Sequence, residues 1–222
     1  MDLYDRYKQF SLQFYTILMA HADDLQAVSV DEALIDVTSS VARIRAELAQ
    51  RPDRMDDGSD PAKDFAESIR AQVRKVTGCE GQYMRTLLDC RTLIVRIVSI
   101  GIAHNIMLAR LASRKAKPGG SYHLRLEDLA EHLAPLDIDA LHGFGYSTRQ
   151  KAEEKLGATN LGELTKKSKA VLCEALGKGT GEILYKALRG IDDRKLESDK
   201  PRKSVSCDIN VCCSTLPCCE YP

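Results

Sequence analysis

The 222-residue chain lacks a long apolar run, a net charge and a dispersed set of cysteines. Its nearest approach to an apolar run, Thr92 to Ala112, is broken by Arg96, His104, Asn105 and Arg110. That falls short of the roughly twenty apolar residues a membrane helix needs, so no membrane partner is expected. The N-terminus, MDLYDRYKQF, has no apolar signal core, which points away from secretion. Thirty-two Lys and Arg balance 32 Asp and Glu, which excludes a uniformly basic nucleic-acid coat but permits a locally basic face. Of eight cysteines, Cys207, Cys212, Cys213, Cys218 and Cys219 lie near the C-terminus, leaving Cys79, Cys90 and Cys173 in the body. Such usage suits a reducing compartment rather than a disulfide framework. The CC-x4-CC tail has neither the CxxC pair nor the histidine partner expected of a zinc site. His21, His104, His123, His132 and His142 show no ligand spacing and read as structural. No Ser/His/Asp constellation and no long-period repeat is legible.

What is present is enough for a packed core: 44% of residues are hydrophobic and 29% charged, ordinary for a globular protein. Leu3, Tyr7, Phe10, Phe14, Ile17 and Leu18 recur at helical spacing and predict a helix over 2–21. Residues 25–30 and 33–38 read as two short strands in a tight pair. Ser39 or Ser40 is expected to cap a helix through Leu48. Residues 51–60 have loop composition. Asp60-Pro61 opens a helix with Phe65, Ile69, Val73 and Val76 as its buried stripe. Residues 96–103 read as a strand, and Asn105 as the cap of a helix through Ala116. Pro118-Gly119-Gly120 is a turn, followed by a strand at 121–124. Helices are expected at 127–133, 148–156, 161–166, 169–176 and 179–190. The charged stretch 192–203, with Pro201, reads as a linker. Strands mixed with helices, then helices alone, give an α+β class with a small helical unit beginning near residue 126.

Three features could carry chemistry. Asp31 and Glu32 sit side by side at the junction of the two strands, where a turn can bring both carboxylates to one side. Paired carboxylates with substrate phosphates suit Mg²⁺, although a solvated acidic turn is the commoner explanation of adjacent acids in a hairpin. Arg110, Arg114 and Lys117 follow i, i+4, i+7 spacing, with Lys115 flanking. Residues 91–125 contain seven Lys and Arg and no Asp or Glu. Such a field suits a polyphosphate, or is simply a solvated basic face. Lastly, Leu141-His142-Gly143-Phe144-Gly145 followed by Ser147, Thr148 and Lys151 has the helix–hairpin–helix pattern. There glycines let backbone amides approach a nucleic-acid phosphate; an ordinary glycine turn between helices is the plain alternative.

The three occur in one order, and that order resembles the catalytic core of the Y-family translesion DNA polymerases. The stretches AVSVDEALIDVT, SIGIAHNIMLARLASRKAKPGGSYHL, LHGFGYSTRQKAEEKLGATNLGEL and GKGTGEILYKALRGIDDR carry the resemblance. DEALID and SRKAKPGGSYHL look most like the deoxycytidyl transferase branch, a scaffold of translesion synthesis. The resemblance implies a partial palm, an antiparallel or mixed sheet with helices, over 1–125. It implies an all-α thumb with a helix–hairpin–helix over 126–192, and at 193–210 a linker toward a missing little finger. Asp31 and Glu32 then match catalytic carboxylates holding Mg²⁺. Lys117, with Arg114 and Arg110, matches triphosphate binding. Gly143, Phe144, Gly145, Ser147, Thr148 and Lys151 match the duplex grip. Implied partners are primer–template DNA and a deoxynucleoside triphosphate, dCTP by branch, with other translesion polymerase subunits in a full-length parent. The branch implies the nucleus.

Departures from the family pattern are equally informative. No first palm strand with its Asp and no fingers subdomain is matched, so the fragment is expected to be inactive alone. Residues 81–98 interrupt a junction and 211–222 replace an expected strand; both read as retained introns. Ser204 and Ser206 mark the approach to the missing subdomain. The rival expectation is a non-catalytic damaged-DNA-binding helix–hairpin–helix module. A protein-interaction fragment ranks below it.

Overall fold

A computed structural model describes residues 3–50, 60–77 and 98–197. The segment 81–97, the tail 211–222, Ser204, Ser206, and all cysteines except Cys173 fall outside those residues. Val98 is described, as is the start of the expected linker. Among the described residues, no helix is long and apolar enough to cross a membrane.

Helix α1 (Leu3–Met19) turns Leu18, Phe14 and Ile17 inward, whereas Leu12 and Met19 remain exposed. Strands β1 (Asp24–Ala27) and β2 (Ala33–Asp36) pair antiparallel, Ala27 opposite Ala33. The first strand therefore stops short of the expected Val30, and residues 28–32 form a five-residue loop. Val28 and Val30 have β-branched side chains but stay exposed, at 40% and 66%, with Val30 only against the surface of α1 beside Tyr7 and Leu12. The amides of Val28 and Ser29 both turn inward to the Glu32 carbonyl, at 2.9 and 3.0 Å.

Helix α2 (Thr38–Ala49) begins before the two serines expected to cap it. Two aspartates satisfy its first amides instead. Asp36 Oδ1 accepts from the Thr38 amide at 2.9 Å, and Asp23 Oδ2 from the Ser39 amide at 2.7 Å. Helix α3 (Pro61–Thr77) buries Ala62, Ala66, Ile69, Arg70, Val73 and Thr77. Val76, expected in that stripe, is 49% exposed because Thr77 takes the inward position of the last turn.

Strand β3 (Ile100–Ile102), helix α4 (Ile106–Ala116) and β4 (Ser121–His123) form a parallel β-α-β unit. Asn105 caps α4 as expected, its side chain accepting from the Leu108 amide at 3.0 Å. Helix and strand lie in backbone contact at Gly101. A Cβ built there would meet Ser113 N at 2.1 Å and Ala109 O at 2.2 Å.

Beyond β4 the chain is helical: α5 (Leu129–Leu133), a 3₁₀ turn (Ile138–Ala140), α6 (Tyr146–Leu156), α7 (Leu161–Leu164), α8 (Lys169–Leu176) and α9 (Lys178–Ala187). The helix expected before the glycine hairpin is only that 3₁₀ turn. Its chain is tied sideways, Ile138 N donating to Thr159 O and Leu161 N to Leu136 O, so it cannot lengthen into an α-helix. Two cores result. Leu18, Ile69 and Val73 anchor the smaller one between α1, α3 and the strands. The larger runs from Met107 and Leu108 of α4 through Leu124 to Leu188, so α4 shares its core with the helical part.

The stretch expected to be a linker starts out fixed. Asp192 Oδ2 accepts from the Met107 amide, and Arg194 grips the same carboxylate through Nε and Nη2 at 2.8 and 2.9 Å.

Candidate functional site

A single open cleft of about 1490 Å³ separates the β1–β2 hairpin from α4 and its following turn. Asp31 and Glu32 line it from one side, and Arg110, Arg114 and Lys117 from the other; His142, Arg194 and Lys195 line it too. The acidic pair and the basic helix, read separately in the sequence, thus face one volume.

The carboxylates owe their place to the 28–32 loop. Asp31 Oδ1 accepts the Ser29 hydroxyl at 2.6 Å. Helix α1 supports the loop from behind. Ser11 Oγ donates to Val30 O at 2.6 Å, and the Tyr15 hydroxyl reaches Ser29 O at 2.5 Å and Glu32 O at 3.0 Å. Burial, with the charges of Asp31 and Glu32 adding to it, holds the Tyr15 phenol above its ordinary pKa. Two adjacent carboxylates offer the hard oxygen donors that Mg²⁺ prefers, with water and substrate phosphate filling its other positions. Among the described residues, no group of three His, Cys, Asp or Glu gathers. The donor set therefore fits an ion held partly by its substrate, not a closed protein cage.

The basic wall departs from the regular spacing of the sequence. Lys117 is the C-cap of α4, with extended backbone (ψ 142°), so it enters the cleft from the turn and not from the helix face. Lys115 points elsewhere, its Nζ over the Tyr122 ring at 4.3 Å. Arg114 Nη1 donates to Ala140 O at 2.7 Å, and Arg110 Nη1 lies 3.5 Å from His142 Nδ1. Both arginines thus link α4 to the lead-in of the glycine hairpin. Arg110 Nε is buried with no hydrogen-bond partner among the described residues.

The turn after α4 is clipped from below by α3. Buried Arg70 donates to the carbonyls of Val98 (2.9 Å) and Gly119 and to Glu67. Glu67 accepts the Ser121 hydroxyl. The Gly119 amide donates to Ser99 Oγ at 3.0 Å.

Reading residue types missed His142 and Arg194. Burial depresses the His142 imidazole, with Arg110, Arg194 and Arg114 adding to the effect and Glu32 opposing it. A lone histidine without ligand spacing gives no sequence signal, and Arg194 was hidden in what reads as a linker. Two of the other histidines bond structurally: His123 Nδ1 to Asp60 Oδ2 at 2.7 Å, His21 to Gln72 Oε1 at 2.9 Å.

The glycine hairpin stands outside the cleft lining. Gly143 has φ +98°, and a Cβ at Gly143 or Gly145 would meet nothing within 4 Å. Gly145 precedes α6, whose N-terminus no side chain caps, so its first amides have no intrahelical acceptor. Gly143, Gly145, Ser147 and Lys151 are exposed and Thr148 half-buried, but the Phe144 ring is core, 6% exposed. Any contact at Phe144 must come from its backbone.

Residues 2–83 match the impB/mucB/samB family, and residues 139–192 match the family described as DNA polymerase-iota, thumb domain. The chain belongs to the Y-family DNA polymerases. Among curated Y-family relatives, the DNA repair protein rev1 of Schizosaccharomyces pombe is 37% identical over 205 residues, covering 92% of this chain and 18% of that protein. The DNA polymerase IV of Halorhodospira halophila is 33% identical, covering 92% of this chain and 48% of its own. The chain thus spans about a fifth of the rev1 relative and about half of the polymerase IV relative. The solved insertion ternary complex of Dbh DNA polymerase shares the fold at TM-score 0.61 and 24% identity, covering 86% of this chain and 46% of that one. DinB from Sulfolobus solfataricus gives the same TM-score.

Proposed function

We propose that this chain is the palm and thumb part, with 1–125 as palm and 126–192 as thumb, of a polymerase that adds nucleotides opposite damaged template bases. The observation that carries the reading is the single cleft with Asp31 and Glu32 on one wall and Arg110, Arg114 and Lys117 on the other. Family membership and the relative called DNA repair protein rev1 support it.

Asp31 and Glu32 are the residues that would hold Mg²⁺. Bound there, the ion would offset charge on the attacking and leaving oxygens of phosphoryl transfer. The chain's own residues bind and orient. Lys117, Arg114 and Arg110 take the triphosphate of a deoxynucleotide, dCTP by analogy with the rev1 relatives. The amides of Gly143, Gly145 and Ser147, with Lys151 and Thr148 beside them, grip the primer–template backbone without reading its sequence. The eukaryotic relatives favour a nuclear location. With only two cation-binding carboxylates among the described residues, the isolated chain binds but does not extend a primer.

The test is Mg²⁺-dependent binding of dCTP to the purified chain, followed by amide shifts. Shifts centred on Arg110 to Lys117, with a Mg²⁺ dependence lost in Asp31→Ala, are expected. Shifts that ignore Asp31→Ala contradict the reading.

A second reading, a non-catalytic module that binds damaged duplex, draws support from the open, uncapped hairpin, whose glycines are not part of the cleft lining. It predicts duplex binding indifferent to Glu32→Ala and no nucleotide-induced shifts.

A further inference from the structure

We infer that Ser11 and Tyr15 on α1 are positioning residues that set the Asp31–Glu32 pair in place by gripping the backbone of its loop. The inference rests on the reading of that pair as a cation site.

The two side chains are four residues apart, so they stand on one face of α1. Both reach only main-chain oxygens: Ser11 the Val30 carbonyl at 2.6 Å, Tyr15 the Ser29 carbonyl at 2.5 Å and the Glu32 carbonyl at 3.0 Å. Those carbonyls bracket Asp31 on both sides. The loop has little else to hold it. Residues 28–32 are all exposed. Its internal ties are the two amide bonds to Glu32 O and the Ser29 contacts with Asp31, the Asp31 amide lying 3.4 Å from the Ser29 hydroxyl.

Adjacent carboxylates repel, and a five-residue loop whose residues are all exposed has many ways to let them part. Contacts to carbonyl oxygens remove that freedom without engaging the carboxylates, which stay open toward the cleft. Such preorganisation matters for a cation that must gather its ligands at once. Helix α1 can serve as the fixed support because Phe14 and Leu18, on the same side of the helix as Ser11 and Tyr15, are seated in the smaller core with Ile69 and Val73.

The experiment uses the ¹⁵N-labelled chain and Mn²⁺ as the probe. Paramagnetic broadening of the amides of residues 30–32 is titrated in wild type, Tyr15→Phe, Ser11→Ala and the double variant. Hydrogen exchange at the Val28 and Ser29 amides and the melting temperature are followed alongside. We expect the Mn²⁺ concentration for half-broadening to rise about threefold in each single variant and about tenfold in the double. Exchange at Val28 and Ser29 should quicken while the melting temperature holds, and Ser11→Thr, which keeps the hydroxyl, should restore wild-type behaviour. Unchanged Mn²⁺ midpoints with unchanged exchange overturn the inference. Broadening that ignores Asp31→Ala removes the cation site itself, and the positioning role falls with it; that outcome is distinct because it appears in a variant that leaves Ser11 and Tyr15 intact.

Discussion

The Asp192 carboxylate accepts the Met107 amide at 2.9 Å, across 85 positions of sequence. The residue that follows the helical part therefore caps the helix carrying Arg110 and Arg114. The Asn105 side chain donates to the Gly190 carbonyl at 2.7 Å in the same junction, so the helix start and the chain's exit are locked together.

Replacing that cap should loosen both. Asp192→Ala is expected to cost about 1–2 kcal/mol, the usual worth of a helix cap. That corresponds to roughly 2–8 °C in melting temperature for a chain of this size. Asp192→Asn, which keeps an acceptor oxygen, should recover part of the loss in a calorimetric scan.

Acid should act through Asp60, which caps α3 and bonds His123. Burial pushes its carboxyl up, but the His123 hydrogen bond and charge, the Lys63 amide and Arg125 outweigh it, leaving the pKa below the ordinary value. A carboxyl depressed in the folded state stabilises above its unfolded pKa, about 4, and loses that contribution as pH falls through the folded value. Asp60→Asn should flatten the acid limb of a melting-temperature profile below about pH 4. A variant limb as steep as wild type would exclude this role.

His142 reports on what enters the cleft. Its imidazole is depressed first by burial and then by three arginines. The unfolded chain therefore protonates first as pH drops below about 6.5, and stability falls from there until the folded imidazole also charges. A bound polyphosphate would neutralise Arg110, Arg114 and Arg194, so adding dCTP or inorganic triphosphate should raise the His142 pKa in an NMR titration. Glu32→Gln, removing the one opposing charge, should lower it further.

The hairpin makes a separate forecast. Gly143 at φ +98° lies where L side chains are strained, so Gly143→Ala should cost about 1 kcal/mol of stability and weaken duplex binding by fluorescence anisotropy. Lys151→Ala should leave the fold alone and reduce the salt slope of duplex binding by about one.

Much of this was written in local sequence, and the exceptions have physical causes. Asn105 capped α4 as read because a cap needs only one side chain and its own helix. The cap of α2 differs from the expected serines: Asp36 at the end of β2 and Asp23 just before β1 reach its amides before Ser39 or Ser40 can, and only the folded hairpin brings Asp23 near. Val28 and Val30 have strand-forming side chains, yet a strand is stabilised by burying such side chains, and here both stay exposed. The acidic pair and the basic helix were each legible by residue type. Their shared cleft was not, since it depends on α1 and α3 holding two remote turns in register. His142 carries no signal until Arg110 and Arg194 surround it.

Gly101 has a consequence for variation in this chain. With α4 resting on bare strand backbone at that point, any residue other than glycine would act as a wedge between them. The wedge would tilt α4 about its far end and carry Arg110 out of line with the opposite wall. Charges along the helix can be exchanged at modest cost, whereas the seam beneath it admits no heavier atom.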